Sequence, residues 1–528
     1  LSTEKENLAR RAGAVSAATA GSRVLGLIRE QVFAHLFGAG LYTDAFVAAF
    51  RIPNLLRDLF AEGALSAAFI PAFTKKLSLD GREKAFYLFN VVGNAMVVIL
   101  ALIVAAGIFA TPWVVSAIAP GFEKIAGKSE LTAELAGVMF PFLLLVALAA
   151  LTMGGLNALG HFALPAFSSA FLNVGMIAAG FVLCPFFDPP ILGMAYGVLL
   201  GGLLQWGVQL PALHKEGYRY KPVFSLRNPE LLTVAGLMVP AIAGIASTQV
   251  NIFVNTQIAS LMPEGAVSYL NYAFRLMHFP LGIFGVALAT VSLPALSQKV
   301  AARDLKGVAS TADSAMGWVF FLNVPATLFL LVCAVPLISV LYEHGQFGSA
   351  DTSNTASALQ LYALGLLGYS GVRVLAPVFY AFADTKTPVK VSIAAVFTNI
   401  VLNLLFWRLG FGFESLAFAA SVSAFVNFFA LLYLYKKRLP EWEGKEAGSK
   451  FLRILLAALP STCICWGVLA FFHHPHTAGL LWHRILMLLV SFFLFSGLYL
   501  LSARLLRIQE AGLFLNMVRR VFSRVKPD

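Results

Sequence analysis

Charge is what this chain has least of. Asp, Glu, Lys and Arg make up 12% of its 528 residues, about half the share of an ordinary soluble domain, which excludes a water-soluble globular class. Cysteine is scarce as well: Cys184, Cys333, Cys463 and Cys465 all lie in or at the ends of apolar runs. Cys463 and Cys465, two apart, cannot share a helical face, so small buried residues are expected rather than a disulfide framework. No Walker A sequence, aspartate-rich Mg²⁺ motif or nucleophile elbow occurs, and an ATP-driven pump or membrane glycosyltransferase thus lacks its chemistry. HHPH at 473–476, with His483, sits in a loop beside aromatics and is read as loop, so no metal ligands and no cofactor are expected.

What fills the chain is hydrocarbon. Hydrophobic residues reach 59%, aromatics 13% and mean hydropathy +0.80. Apolar runs of 18 or more recur, each long enough to cross a bilayer core of about 30 Å as a helix. An outer-membrane barrel would instead show alternating strands of about 10 residues. The class is therefore an all-α polytopic membrane protein. Fourteen spans are expected, near 9–37, 43–74, 86–110, 132–160, 163–186, 191–214, 230–262, 266–300, 310–342, 353–383, 387–409, 412–437, 450–472 and 480–505. The first run continues straight into Arg23 and Arg29 and is read as a retained span rather than a cleaved signal.

The few charges are sorted. One set of alternate loops, together with both termini, holds 28 basic residues, whereas the opposite loops hold Lys124, Lys128, Arg408 and Arg484. The positive-inside rule puts both termini in the cytoplasm. The net charge of +12 is accounted for by topology, so no nucleic-acid partner is expected.

An internal repeat is legible at one offset. ALSAAFIPAFTKK at 64–76 aligns without gaps on ALATVSLPALSQK at 287–299, and the same shift of 223 carries Ala158 onto Ala381, Pro165 onto Pro388 and Gly21 onto Gly244. Six spans separate equivalent points, so two six-helix lobes form a parallel repeat, a plan used by transporters. The expected domains are 1–222, 223–440, and 441–528 with the last two spans and a basic tail.

Six arginines fall inside spans: Arg23, Arg29, Arg51, Arg57, Arg275 and Arg373. An arginine at a span centre costs about 2.5–3.5 kcal/mol on insertion scales and normally faces a cavity or a partner. Arg57 lies near the middle of span two, and Arg275 and His278 share a face of span eight. Glu30, seven residues after Arg23 and on its face, and Asp58 and Glu62 in span two are the acids that could neutralise them. Arg57 and Asp58, being adjacent, are expected to point apart, and Asp58 and Glu62, at i and i+4, to repel unless a base lies between them. If the first two spans and the repeat partner of the second line one cleft, its favoured cargo is an anion, since guanidinium binds phosphate with a bidentate fork. A phosphate or diphosphate fits.

GSRVLGLIRE at 21–30, FGAGLYTDAF at 37–46, RIPNLLRDLFAEGALSAAFIP at 51–71 and FRLMHFPLGIFGVALATVSLPALS at 274–297 resemble the MurJ (MviN) family, lipid II flippases of the multidrug/oligosaccharidyl-lipid/polysaccharide exporter superfamily. The resemblance runs over the whole chain. It implies two six-helix lobes around a cationic cavity, a lipid-tail groove from spans thirteen and fourteen, and residence in the bacterial inner membrane. The cargo it implies is lipid II, an undecaprenyl-diphosphate-linked disaccharide-peptide, with membrane lipid and cell-wall synthesis proteins as further partners. The family's cavity arginines fall on Arg23, Arg29, Arg57 and Arg275, and its functionally important aspartate on Asp44. Ser22, Ser268 and Glu62 match cavity or gate positions, beside Glu30, Arg51, Asp58, His278 and Arg373 as gate or coupling candidates. Some members carry glutamate at the position of His278. Sodium or proton coupling is a family expectation; the sodium site of some members needs carboxylates in spans seven and eleven, where this chain has Asn251, Asn255, Asn399 and Asn403. A flippase for another polyprenyl-diphosphate oligosaccharide, a cation-coupled drug exporter of the same fold and a non-transporting scaffold are the rival readings.

Overall fold

A computed structural model describes residues 2–58, 65–225, 227–282, 286–439, 442, 444–472 and 481–524; side chains are described outside 2–17, 66–67, 240–248, 286–291, 445, 472, 517–518 and 520–524. Among the described residues all regular structure is helical. The first half runs α1 (Ser2–Phe37), α2 (Leu41–Arg57), α3 (Ser66–Ile118), α4 (Lys128–Met139), α5 (Phe142–Ala158), α6 (Ala163–Val182), α7 (Ile191–Gly207) and α8 (Leu210–Lys215). The second runs α9 (Pro229–Ser260), α10 (Ala266–Pro280), α11 (Val286–Ala301), α12 (Leu305–Tyr342), α13 (Ser349–Leu364), α14 (Leu366–Ala381), α15 (Lys386–Arg408) and α16 (Glu414–Arg438). α17 (Lys445–Phe472), α18 (Leu481–Leu505) and α19 (Gln509–Arg524) follow.

The repeat reappears in the helix borders. α5 ends at Ala158 and α14 at Ala381, α6 starts at Ala163 and α15 at Lys386, α7 starts at Ile191 and α16 at Glu414, and α8 ends at Lys215 as α16 does at Arg438. Each pair is 223 apart. Helix-interior Pro71 in α3 and Pro294 in α11 keep the same spacing, as do the left-handed turns at Gly160 and Ala383 that end α5 and α14.

Ten helical stretches among the described residues are long and apolar enough to cross a membrane, from Ala68–Ile118 through Leu481–Leu505. They correspond to expected spans three to six and nine to fourteen. The first two spans of each half are the ones outside that set, and they carry five of the six span arginines. Charge lowers the hydropathy of spans one, two and eight, whereas span seven carries no arginine and is described with its side chains only outside 240–248. α3 joins two spans in one element, with Gly81 at φ 83 making the turn between them.

By contacts the chain divides into two compact units, Leu1–Ser268 with His344–Phe347, and Tyr269–Glu343 with Gly348–Asp528. In the first, α1 packs on α6, α6 on α7, α2 on α4 and α3 on α5 and α9. Small residues permit the closest approach: a Cβ on Gly175 of α6 would stand 2.4 Å from Gly201 of α7. In the second unit α12 packs on α13 and α17, and α17 on α18. Its core gathers Val319, Phe321, Val374 and Leu431 with Ile454 and Ala457 of α17 and Tyr499 of α18.

Cys184, Cys333 and Cys465 are buried as expected, but Cys463 is exposed, because a two-residue step turns it off the face that buries Cys465. Arg484 in the first turn of α18 holds that helix to the end of α12, with Nη1 donating to Glu343 Oε1 and Ser339 Oγ at 2.9 Å each. Thr352 Oγ1 donates to the other Glu343 oxygen at 2.8 Å. Arg484→Ala leaves a part-buried carboxylate short of its cation and is expected to cost about 1–3 kcal/mol, read as a lower thermal midpoint of the detergent-solubilised protein. An unchanged midpoint would show that packing on α12 and α17, with the Tyr499 hydroxyl donating to the Phe321 carbonyl at 2.7 Å, holds α18 without the ion pair.

Candidate functional site

The most fully buried charges in the first unit meet where α1 ends and α2 begins. Gly38, at φ 63, turns the chain between them. Four residues into α2 stands Asp44, 1% exposed. Its Oδ2 accepts from Lys128 Nζ and from the Gly265 backbone N–H, both at 2.8 Å. Its Oδ1 accepts from the Ser268 backbone N–H at 2.9 Å and from Ser268 Oγ at 2.5 Å. Four donors occupy the lone pairs that a carboxylate offers. Gly265 and Ser268 frame the first turn of α10, so Asp44 serves as an N-cap supplied by another helix, where orphan N–H groups and the positive end of the helix dipole both favour an anion. Beside it the Leu41 backbone N–H donates to Glu264 Oε1 at 2.8 Å.

Sequence reasoning places Lys128 among the loop bases; instead it is 1% exposed at the first position of α4, its Nζ 4.4 Å from the Phe122 ring centroid. A cation at a helix N-terminus opposes the dipole, and only a partner from outside the helix accounts for it there. That misplaced sign is the one signal in the sequence. A segment of four residues, His344–Phe347, also belongs to this unit. The Gln346 backbone N–H donates to the His35 carbonyl at 3.0 Å, and Phe347 is 1% exposed.

The arginines of α1 and α2 pair with their own neighbours. Arg29 donates through Nη2 to Glu30 Oε1 at 2.5 Å, with Met176 Sδ 3.9 Å from Nη1. Glu30 therefore meets Arg29, whereas the sequence spacing pairs it with Arg23, which is exposed. Arg57 lies 3.0 Å from Asp58 Oδ1, and Gln249 Nε2 donates to Asp58 Oδ2 at 3.1 Å. The expectation that Arg57 and Asp58 point apart is thus corrected. Asp58 keeps ordinary helical backbone, φ −62 and ψ −38, so the reach is made by the side chains: a guanidinium is long enough to fold back to the next residue, as Arg29 also does to Glu30. Glu62 lies outside the described residues, as does the histidine run at 473–476.

Ser22 Oγ sits 3.1 Å from Ser169 Oγ on α6. Arg51 lines a cavity of about 40 Å³ with Asn54, Gln249 and Thr256. In the second unit Arg275 is exposed, and the His278 ring lies tilted against Phe274, centroids 4.0 Å apart, its Nδ1 donating to the Phe274 carbonyl at 3.1 Å. Arg373 is half-buried, within electrostatic reach of that imidazole. The asparagines named for cation coupling pair within their own helices, Asn255 to Asn251 at 2.7 Å and Asn403 to Asn399 at 3.1 Å. In the interhelical loops, His161 and Arg82 hold the Glu216 carboxyl below the usual range. Hydrogen bonds from Thr387, then the Arg438 guanidinium, do the same for Asp384.

Membrane-length helices repeated at one offset, with ionised side chains buried in the helices around them, define a polytopic transporter-type membrane protein rather than a soluble enzyme. A family model described as "Lipid II flippase MurJ" matches residues 33–487. The chain is 41% identical over 427 residues to the probable lipid II flippase MurJ of Vibrio cholerae, covering 79% of this chain and 81% of that protein. It is 38% identical over 436 residues to the lipid II flippase MurJ of Burkholderia cenocepacia, covering 82% and 84%. A solved structure of lipid II flippase MurJ in an inward closed conformation superposes with TM-score 0.76 at 26% identity, over 92% of this chain and 98% of that one. An inward-facing multidrug transporter of the MOP superfamily, at TM-score 0.68 and 14% identity over 80% and 96%, shares the fold. The chain belongs to the MurJ family of lipid II flippases, membrane transporters rather than enzymes.

Proposed function

We propose that this protein moves lipid II from the cytoplasmic to the outer leaflet of the bacterial inner membrane by alternating access. Family membership over residues 33–487 is the observation that carries the reading. Both termini lie in the cytoplasm on the positive-inside rule. The lobes are 1–222 and 223–440, and 441–528 supplies the groove for the polyprenyl tail. Arg23, Arg29, Arg57 and Arg275 hold the diphosphate. Arg29 and Arg57 each have a carboxylate partner adjacent in the chain, so arginine and acid travel together as the helix moves. A phosphate at the guanidinium fork displaces the acid, and Asp58 keeps the Gln249 amide as a donor when it does. Asp44, with Ser268, closes the outer side while the head group loads.

A negative-inside potential favours outward passage of an anion by about 2.3 kcal/mol per charge per 100 mV. Two phosphate charges supply roughly twice that, less whatever the arginines carry with them. The test is lipid II measured on each leaflet after depletion of the native protein and replacement by Arg57→Ala or Arg275→Ala. Loss of a charged hydrogen-bond pair, about 1.5–3 kcal/mol, should slow export about tenfold or more. Full export by both variants would refute diphosphate binding by these arginines. Export of an unrelated polyprenyl-diphosphate oligosaccharide in place of lipid II would redirect the cargo assignment.

A further inference from the structure

Lys128 is a base that no cargo can reach. It is 1% exposed, packed over Phe122, and its Nζ is 2.8 Å from Asp44 Oδ2. The offset of 223 carries it onto Asp351, at the start of α13, and Asp351 Oδ1 accepts from the Tyr269 hydroxyl of α10 at 2.9 Å. Each half thus uses one repeat position, at the head of its span four, to grip the first turns of its span two. The sign of the gripping residue is opposite in the two halves. In the second half an acid takes a neutral hydroxyl. In the first a base takes a carboxylate whose remaining lone pairs are all given to the start of α10.

We propose that Lys128 is a positioning residue for the outer closure: it fixes Asp44 Oδ2 so that the carboxylate stays aimed at the Gly265 and Ser268 N–H groups, and it makes no contact with lipid II. This rests on the alternating-access reading of Asp44. Oδ2 is shared between Lys128 and Gly265, and rotation of the carboxylate toward either partner alone would break the bidentate cap. With Lys128 gone, an ionised Asp44 buried at 1% exposure has lost its only charged donor among the contacts described, and solvent entering to replace that donor would open the turn at 265–268.

The experiment uses the full chain with its four native cysteines replaced. Ala266→Cys, at a position 1% exposed, reports the turn, and Ala147→Cys, in the core of α5, reports global unfolding. Both are labelled from outside with a membrane-impermeant maleimide. Lys128→Met should raise labelling at 266 about tenfold or more, as expected when one partner of a buried ion pair is removed, with labelling at 147 unchanged. Adding Asp44→Asn to Lys128→Met removes the stranded charge while keeping a carbonyl acceptor for α10, and should bring labelling at 266 back toward the parent. Exchanging the pair, Asp44→Lys with Lys128→Asp, restores the ion pair but presents no acceptor to α10, and should leave 266 open. Unchanged labelling in Lys128→Met, or closure by the exchanged pair, overturns the proposal. Slowed lipid II export with no change at 266 also overturns it, since that is the behaviour of a cargo-binding base. Full export by the arginine variants with labelling at 266 still raised would refute diphosphate binding and leave the positioning role standing.

Discussion

Asp44→Ala is expected to cost the first unit about 3–5 kcal/mol, the loss found when one member of a buried ion pair is removed. The magnitude follows from what stays behind. Lys128 Nζ stays at 1% exposure without its carboxylate, and the Gly265 and Ser268 N–H groups lose the acceptors at 2.8 and 2.9 Å that cap the start of α10. Alanine also leaves the Ser268 hydroxyl without its 2.5 Å partner. Asp44→Asn should cost less, because a carbonyl oxygen remains for one of the backbone donors, although Lys128 still loses its ionic partner. Adding Lys128→Met to Asp44→Ala should recover the share due to the stranded lysine, since replacing a buried pair by apolar side chains is often neutral or stabilising, and leave the share due to the unmet donors of α10. Thermal unfolding in detergent and steady-state membrane abundance measure this order. Asp44→Ala with a native midpoint would mean that the cluster is solvated and contributes no closure.

The fold is legible in the sequence to the extent that periodic patterns carry it. Run lengths and Pro/Gly punctuation set the all-helical class. One offset, 223, ties the halves together because Ala158 with Ala381 and Ala163 with Lys386 are helix borders in both. Chemistry within the site is less legible. Lys128 and Asp44 are 84 residues apart, and a lysine beside a loop reads as solvated until burial is known. The Arg57–Asp58 and Arg29–Glu30 pairs escape sequence reasoning because i, i+1 side chains diverge at their Cβ atoms on an α-helix, and the spacing rule leaves out the reach of a guanidinium that folds back along the helix. Sequence similarity does better with Asp44 and Ser268, two positions that the resemblance implies separately and that meet in one hydrogen-bonded cap. No pattern marks EHGQFG at 343–348 as anything but a loop.

That loop is the source of the second large effect. Gly345 has φ 62, and a Cβ there would stand 2.2 Å from the His35 carbonyl oxygen; Gly38 has φ 63, and a Cβ there would stand 2.5 Å from the Gln346 carbonyl oxygen. Left-handed backbone costs a non-glycine residue about 1–3 kcal/mol, and the clash adds to it because backbone atoms cannot rotate away. Gly345→Ala and Gly38→Ala should each lift residues 344–347 off the end of α1, break the Gln346-to-His35 hydrogen bond and expose Phe347. Because both substitutions destroy one contact, their costs should fall well short of additive in the double variant. Strictly additive midpoints would show that each glycine serves its own turn and that the segment does not act as a strap. Outside labelling of Phe347→Cys separates the two cases again: slow in the parent, and fast to the same degree in either alanine variant and in their combination. The strap and the Asp44 cap begin at the two ends of the three-residue turn Gly38–Gly40, so loosening one should speed labelling at the other, whereas two independent contacts would leave the second rate untouched.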